Sequence, residues 1–411
     1  MRRLDRVERY TWRRHWRAQV ASGLGEGVLG LASFVALRSL GAPTWIAPLI
    51  VVLAQSPWMF SPMWEHAVAR FEPHRAFRWF GAAFALPLVA IAFVSVTPGA
   101  RGDGHGVGDV GLFLACYVVA QAVHGGDIAQ RSALIRANYR ERVRGSVFGA
   151  LAVIARGASI ASAKAAGVVL EADPRWLRVV FPVAGALSFG EQMLLSRIRW
   201  RRDGLRRAAQ TAGGGFREAW KRSVRLLRDD RDFRTYEIAW SLYGMGFLAS
   251  TPMIVVFGER DLGASYATWT WAQGVSMPLA QIAATAPFGW LVDRVGAVRT
   301  TAFAYVLVTL FLASVPFVHT GPALVACFAL WGVAMAGVNI VWNVGPLAFA
   351  PEGRGRHYAA AHVALVGLRS LLGPPLGYLL FQTVGMRATF ALCAALVACG
   401  TVTAFRLSRR R

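Results

Sequence analysis

With 411 residues, of which 55% are hydrophobic, and a mean hydropathy of +0.42, the chain is too apolar to be a soluble protein. A formal net charge of +23 could indicate a nucleic-acid-binding protein, but lysine and arginine concentrate in loops between apolar segments, which is typical of membrane proteins. The four cysteines lie inside apolar segments without zinc-ligand spacing, so neither a metal centre nor a disulfide framework is predicted.

Twelve apolar segments are long enough to cross a bilayer as helices, which takes roughly 20 residues each. They predict an all-α integral membrane protein with twelve transmembrane helices. A chain of ten or eleven spans is the alternative, because span 5 ends in Glu171 and span 10 contains Asn339 and Asn343. The predicted bounds of spans 1 to 12 are 18–38, 43–64, 76–97, 109–130, 145–170, 176–196, 235–257, 265–291, 299–318, 322–349, 357–382 and 386–405.

Most of the 45 lysine and arginine residues fall on one side of the membrane when the loops alternate from an inner N-terminus. Such an asymmetry predicts that both termini are cytoplasmic, in the cytoplasmic (inner) membrane. No secretory signal is predicted, because the first apolar run is long and no small-residue cleavage site follows it.

The longest hydrophilic segment predicts the domain organisation. Residues 197–233 separate six spans from six, which predicts a six-helix bundle over 1–196, a cytoplasmic linker and a second six-helix bundle over 234–411. The linker contains a possible hinge at Gly213–Gly215. Beyond it, apolar residues recur at helical spacing among basic ones, and these are Phe216, Trp220, Val224 and Leu227. They indicate either a cationic amphipathic helix on the inner leaflet or a solvated linker helix.

The loop between spans 8 and 9 carries the most specific motif. It reads Gly-x-Leu-x-Asp-Arg-x-Gly-x-x-Arg, with Gly289, Asp293, Arg294, Gly296 and Arg299 at the defining positions. This spacing resembles the signature loop of the major facilitator superfamily (MFS) of transporters. The resemblance implies a gating loop in which Asp293 faces the positive end of span 5. Gly296 would allow the tight reversal and Gly289 the close approach of a neighbouring helix.

Other stretches extend the resemblance along the chain, with departures. Span 11 contains a Gly- and Pro-rich run, Gly367–Gly377, similar to the family's Gly-Pro helix motif. The corresponding first-half loop, residues 65–75, has Ala69 where the acid should be. Segment 113–123 of span 4 carries no charge, whereas proton-coupled family members often carry an arginine in this span.

The resemblance implies two pseudo-symmetric six-helix bundles and a secondary active transporter. Such a protein moves a small solute by alternating access and is driven by an ion gradient, with protons a candidate co-substrate. The implied partners are the solute and the lipid bilayer, without nucleic acid or cofactor, and the implied state is a monomer. A multidrug-type efflux carrier is the alternative within the fold. A non-transporting receptor or scaffold and a membrane-embedded enzyme are the alternatives from other classes. An enzyme is not predicted, because no nucleophile motif or metal set is present.

Ionisable residues within spans are the candidate site residues, because burying a charge in hydrocarbon is costly. Glu26, Arg156 and Arg369 fall at mid-depth, and Lys164 lies two turns beyond Arg156. Their excess positive charge favours an anionic solute. Glu26 and Arg156 are expected to pair, which leaves Arg369 to bind the anion. Packing of Arg369 against backbone carbonyls is the alternative.

A second group lies one helical turn apart towards the inner end of span 4. His124, Asp127 and Arg131 predict a polar cluster at the inner mouth. A stabilising ion-pair cluster is favoured there over a proton path.

Overall fold

The computed structural model describes residues 4–55, 72–96, 107–201, 216–352 and 354–410. Ala69 of the first-half loop, the Gly213–Gly215 hinge and the end of predicted span 2 lie outside these residues. Within the described ranges the chain is helical, without strands. The helices are α1 Arg6–Leu29, α2 Ala32–Arg38, α3 Ile46–Gln55, α4 Pro73–Ala90, α5 Val107–Asn138, α6 Glu141–Ala172, α7 Leu177–Ser196, α8 Phe216–Asp229, α9 Arg231–Val256, α10 Tyr266–Trp269, α11 Met277–Val295, α12 Ala297–Ser314, α13 Gly321–Val344, α14 Gly355–Val384 and α15 Met386–Ser408.

Twelve helical stretches match the twelve predicted spans. Ten stretches of the described chain are long and apolar enough to cross a membrane. Two shorter apolar helices, α3 and Gly108–His124 within α5, occupy the positions of spans 2 and 4. The predicted all-α membrane fold is confirmed.

The chain divides into two compact units. The first comprises Met1–Ala42 and Phe60–Gly215, and the second comprises Pro43–Met59 and Phe216–Arg411. This division differs from the predicted bundle boundaries in one segment, because α3 packs on α14 and α9 and therefore belongs to the second unit.

The same helix pairing occurs in both units. In the first unit α1 packs on α6 and α7, and α4 packs on α5 and α7. In the second unit α9 packs on α14 and α15, and α12 packs on α13 and α15. Each helix of the first set therefore has a counterpart eight helices later with the same neighbours, as expected for an internal repeat of six-helix halves.

Glycines set the closest helix contacts in both units. A Cβ on Gly23 of α1 would lie 2.2 Å from the backbone oxygen of Ala155 on α6. In the second unit, a Cβ on Gly377 of α14 would lie 1.9 Å from the backbone oxygen of Ala249 on α9. Because Gly23 and Gly377 have no side chain, the helix backbones can approach one another closely, as is common in bundles of membrane helices.

The loop at 289–299 is a one-residue reversal between two helices. α11 ends at Val295, Gly296 adopts φ 81° and α12 begins at Ala297. This left-handed conformation favours glycine, in agreement with the role expected of Gly296. Apart from its chain neighbours and the backbone of its own helix, no described atom lies within 4 Å of the position of a Cβ on Gly289, so the described residues show no close helix approach there.

The linker helix α8 leads directly into α9. Asp230 separates them, and its side chain accepts a hydrogen bond from the Phe233 N–H, which caps α9. The Tyr358 hydroxyl of α14 donates to the same carboxylate at 2.8 Å. On α8, Ser223 is buried while Trp220 and Val224 are exposed, so part of its apolar face remains open.

Candidate functional site

A buried ion network joins α5 and α7 in the first unit. Arg131 of α5 donates from Nε to Oδ2 of Asp127 at 2.7 Å, and its Nη2 lies 2.6 Å from the same oxygen. Its Nη1 also contacts Oε1 of Glu191 on α7. Both acids are almost fully buried. One guanidinium therefore contacts two carboxyl groups in the interior of the unit.

Neutral side chains complete the network. Gln192 donates from Nε2 to Oδ1 of Asp127 at 2.6 Å, and His124 Nδ1 lies 3.9 Å from Oδ2. Arg131 Nη1 also donates to the Ser22 hydroxyl of α1 at 3.0 Å, and that hydroxyl donates to Oε1 of Glu26 at 3.2 Å. Both oxygens of Asp127 thus receive donors, and Ser22 connects the network to Glu26.

Helical spacing and small residues explain why these groups meet. His124, Asp127 and Arg131 are three or four residues apart, so they share one face of α5. A Cβ on Gly126 would lie 2.2 Å from the Phe80 ring of α4. A Cβ on Gly81 would lie 2.6 Å from Cβ of Gln192. These contacts hold α4 against α5 and α7, which brings the acids of two helices to one arginine.

A small cavity opens beside the network. Its volume is about 30 Å³, which is room for about one water molecule. Polar groups, one leucine and two phenylalanines line it, and these are Ser22, Glu26, His124, Asp127, Arg131, Ser188, Glu191, Gln192, Leu29, Phe80 and Phe84.

The site residues predicted for the first unit differ in their burial and in their contacts. Glu26 lies in α1 beside the Arg131 network and accepts its hydrogen bond from Ser22. No ion pair links Glu26 to Arg156 in the described residues, although the sequence analysis expects one. Arg156 is exposed on α6, and Lys164 on the same helix is half-buried. His124, Asp127 and Arg131 do come together, as predicted for the inner-mouth cluster.

The second unit contains an acid–histidine pair that the sequence analysis does not single out. Oε1 of Glu237 on α9 lies 2.8 Å from Nδ1 of His362 on α14, and the two side chains are only 2% and 1% exposed. The imidazole is packed between Trp240 and Trp342, with ring centroids at 4.7 Å and 4.8 Å. Glu237 Oε2 and His362 Nε2 are buried without a hydrogen-bond partner in the described part of the chain.

Arg369 lies two turns beyond His362 on α14. Its side chain is 5% exposed, and its Nε and Nη1 have no hydrogen-bond partner among the described residues. No carboxylate within ion-pair distance is found in those ranges either, and Glu237 is the acid near enough to interact with its charge. Gly244 of α9 makes room for the guanidinium, since a Cβ there would lie 2.9 Å from Arg369 Cδ.

Aromatic rings surround this part of the second unit. Tyr243 and Tyr305 are stacked at 4.4 Å, and both interact electrostatically with Arg369. Trp240 packs edge-on against each of them, at 5.4 Å and 5.6 Å. We call Glu237, His362, Arg369 and these three aromatic residues the α9–α14 cluster.

The predicted gating residues lie at the end of α11 and the start of α12. Asp293 and Arg299 are exposed, and the Arg294 guanidinium stacks over the Trp290 ring at 4.7 Å from its centroid. The contact expected between Asp293 and span 5 involves both units and stays a prediction. Over the described ranges, no group of three or more His, Cys, Asp or Glu side chains is arranged to hold a metal ion.

Glu191, Glu237 and His362 were missed although each falls within a predicted span. Applied to every span, the rule that buried ionisable residues mark sites would have selected all three. Each lies within a few residues of a span end, where a polar side chain is easily assigned to the membrane surface.

Residues 238–411 match the family model described as Major Facilitator Superfamily. No sequence among curated proteins matches the chain. Solved structures with the same fold include the nucleoside transporter NupG, with 11% identity, a TM-score of 0.73 and coverage of 97% of this chain and 99% of that one.

Two further structures share the fold. A POT family transporter in complex with a thioalcohol-conjugated peptide has 10% identity and a TM-score of 0.70, with 97% of this chain and 96% of that one covered. The human organic anion transporter MFSD10 (TETRAN) has 13% identity and a TM-score of 0.64, with 97% and 100% covered. The resemblance predicted from the sequence is confirmed.

Proposed function

We propose that this chain, whose residues 238–411 match the Major Facilitator Superfamily model and whose fold is shared with solved transporters, is a secondary transporter for a small solute with an anionic group. It would work by alternating access, exposing its binding site to one side of the membrane at a time. An ion gradient would drive it, since the sequence lacks a phosphate-binding loop for ATP. The direction of transport is left open.

The observation that carries this proposal is that two buried guanidinium nitrogens of Arg369, Nε and Nη1, have no hydrogen-bond partner among the described residues. A buried cation without a hydrogen-bonded partner is costly, and an anionic ligand that accepts its free N–H groups would remove that cost. An arginine also presents its donors in a planar fork that suits carboxylate and phosphate groups. Arg369 has Nε and Nη1 free in this way.

The Glu237–His362 pair next to Arg369 would tune the charge of the site. Glu237 partly offsets the charge of Arg369, because it is near enough to interact with the guanidinium. The offset is incomplete, because Glu237 Oε1 is held by His362 Nδ1 at 2.8 Å instead of forming an ion pair with Arg369. An anionic group of the solute would therefore still be attracted to the α9–α14 cluster.

The test is solute flux into vesicles that contain the purified protein. Organic anions, nucleosides and short peptides are the classes to screen, since proteins of the same fold are named for them. Arg369→Gln should weaken binding of an anionic solute by about 2 kcal/mol or more, or about thirtyfold. Arg369→Lys should lose part of this binding, because an ammonium cannot make the planar contact.

Arg406→Gln is the matched control, because Arg406 is exposed on α15 of the same unit. It should leave affinity and flux unchanged. If Arg369→Gln also leaves both unchanged for the transported solute, the anion assignment is wrong. If no solute of any class crosses the vesicle membrane, the transporter proposal gives way to a receptor or scaffold.

The aromatic residues around Arg369 favour a second candidate, a multidrug-type carrier. The rings of Trp240, Tyr243 and Tyr305 are buried against one another beside Arg369. If a conformational change exposed them, their flat apolar surfaces would suit hydrophobic solutes with little demand for a specific charge. Such a carrier would move apolar aromatic compounds equally well in the wild type and in Arg369→Gln. An anion transporter would not.

A further inference from the structure

We infer that the Asp127–Arg131–Glu191 network is a proton-binding site in which Glu191 holds the proton. The inference builds on the proposed transport function by naming the driving ion as H⁺. It concerns the first unit, so it is independent of the α9–α14 cluster.

The buried acids outnumber the buried cation. Asp127 and Glu191 share the single guanidinium of Arg131, and the exposed Glu26 is connected to it through Ser22. With Asp127 and Glu191 both ionised, the buried part of the network would carry one uncompensated negative charge. In a low-dielectric interior, an acid in excess of its cationic partners takes up a proton rather than remain charged.

The distribution of hydrogen-bond donors selects the acid that is protonated. Asp127 receives two guanidinium nitrogens, the Gln192 amide and the nearby His124 ring. Among the described residues, Glu191 has one polar contact, with Arg131 Nη1, and that nitrogen also donates to Ser22. Hydrogen bonds to the charged form stabilise an ionised carboxylate, so the negative charge is best held on Asp127. The less solvated Glu191 keeps the proton.

Among the described residues that line the cavity, the helices packed against α5 supply no second cation. The α1 residues there are Ser22, Glu26 and Leu29, and α4 contributes Phe80 and Phe84. His15 of α1 is buried and near enough to Arg131 to interact with its charge. It is hydrogen-bonded to Tyr139 at 3.4 Å, where a charged imidazole would oppose Arg131. The neutral form of His15 therefore leaves the charge count unchanged.

The cavity gives the proton a way in and out. It is lined by Glu191, Glu26 and His124, and Glu26 is exposed. The proton would leave the Glu191 carboxyl for water in this cavity, and no other bond would break. The new carboxylate would then compete for Arg131 Nη1, which at present also donates to Ser22. Loss of the proton would loosen the contact of α1 with α5 and α7.

Infrared difference spectroscopy tests the proton directly, without any knowledge of the solute. Spectra of the purified protein in lipid nanodiscs are recorded while the pH is raised. The wild type should lose a carbonyl band of a protonated carboxylic acid, and Glu191→Gln should lack that band. Glu191→Asp, which keeps a titratable group, should retain a band at a shifted position. Glu352→Gln, at an exposed position outside the helices, should behave as the wild type.

Two transport measurements then test coupling. With solute on both sides of the vesicle membrane, exchange needs no net proton movement, so Glu191→Gln should retain exchange. It should lose accumulation driven by a pH gradient, whereas the wild type accumulates solute. Equal thermal unfolding of the two proteins shows that the variant is folded.

The outcomes separate the two proposals. A carbonyl band that persists unchanged in Glu191→Gln overturns the assignment of the proton, and so does gradient-driven accumulation by that variant. Absence of any solute flux in the wild type overturns the proposed transport function instead. The infrared experiment needs no solute, so it still decides whether Glu191 holds the proton.

Discussion

Asp5 shows at the scale of one residue how a charge outside the membrane holds the start of α1. Its side chain accepts from the Glu8 N–H at 2.8 Å, and Oε2 of Glu8 accepts from the Asp5 N–H at 2.8 Å, which forms a capping box. Arg201 pairs with Asp5, and Arg140 pairs with both acids. Burial alone would raise the pKa of Asp5, but the Glu8 N–H and Arg201 outweigh it, so this pKa lies below its usual value.

A lowered pKa sets the sign of a stability effect. The stabilisation by Asp5 is complete above its unfolded-state pKa of about 3.9 and is lost as the pH falls through the lower folded value. Asp5→Asn keeps the cap but loses the charge, so its unfolding temperature should depend less on pH in this acidic range. Asp5→Ala should in addition lose about 1 kcal/mol of cap energy at neutral pH. Thermal unfolding across acidic and neutral pH measures both, and an unchanged pH dependence in Asp5→Asn would contradict the argument.

For single residues, the sequence predicts contacts within one helix but not contacts between helices. Spacing along α5 suffices to place His124, Asp127 and Arg131 on one face. Whether the arginine serves one acid or two depends on the rotation of α7, which brings Glu191 to it. The Glu237–His362 pair likewise joins residues 125 positions apart in the chain. Periodicity within one helix holds no information about such contacts.

At the scale of the element, the contact between α9 and α14 depends on Gly377, which has no side chain. A methyl group on Gly377 would lie 1.9 Å from a backbone oxygen of α9, and backbone cannot move aside as a flexible side chain can. Gly377→Ala should therefore force the helices apart and cost about 2 kcal/mol, within the range of overpacked cores. Thermal unfolding in detergent would record this as a lower midpoint.

Gly289→Ala is the matched control for this prediction. Gly289 also lies within a helix, but no described atom is within 4 Å of the position of its Cβ. Alanine should stabilise the helix there by up to about 1 kcal/mol. If the two variants unfold at the same temperature, close packing at Gly377 does not limit stability.

The positions of the helices could be predicted from the sequence because membrane helices need long apolar runs. The reversal at Gly296 could be predicted because its backbone conformation favours glycine. The packing partner of α3 could not be predicted from the sequence. Its sequence, Ile46–Gln55, is apolar up to the final glutamine and does not specify a neighbour, and the structure places it against α14 and α9. An apolar surface in a membrane fits many others, so shape rather than hydrophobicity selects the partner.

At the scale of the whole molecule, one helix pairing recurs in two units that differ in chemistry. The first unit holds more buried acid than base around Arg131, and the second holds Arg369 with free donors. The contact pattern is repeated because small residues and helix order fix it. The charged residues are not constrained by this packing, so the first unit can bind a proton while the second binds an anion, as proposed above.

The orientation in the membrane is the remaining property that charge distribution predicts for the whole chain. Lysine and arginine are retained on the cytoplasmic side during insertion, and here the N-terminus, the 197–233 linker and the C-terminus are rich in arginine. A fluorescent protein fused after Arg411 should therefore fluoresce in bacterial cells, and a phosphatase that folds only in the periplasm should be inactive there. The same reporters inserted between Ala172 and Pro174, in the loop from α6 to α7, should give the opposite result. An active phosphatase at the C-terminus would reverse the orientation and would place the Arg131 network towards the outer surface.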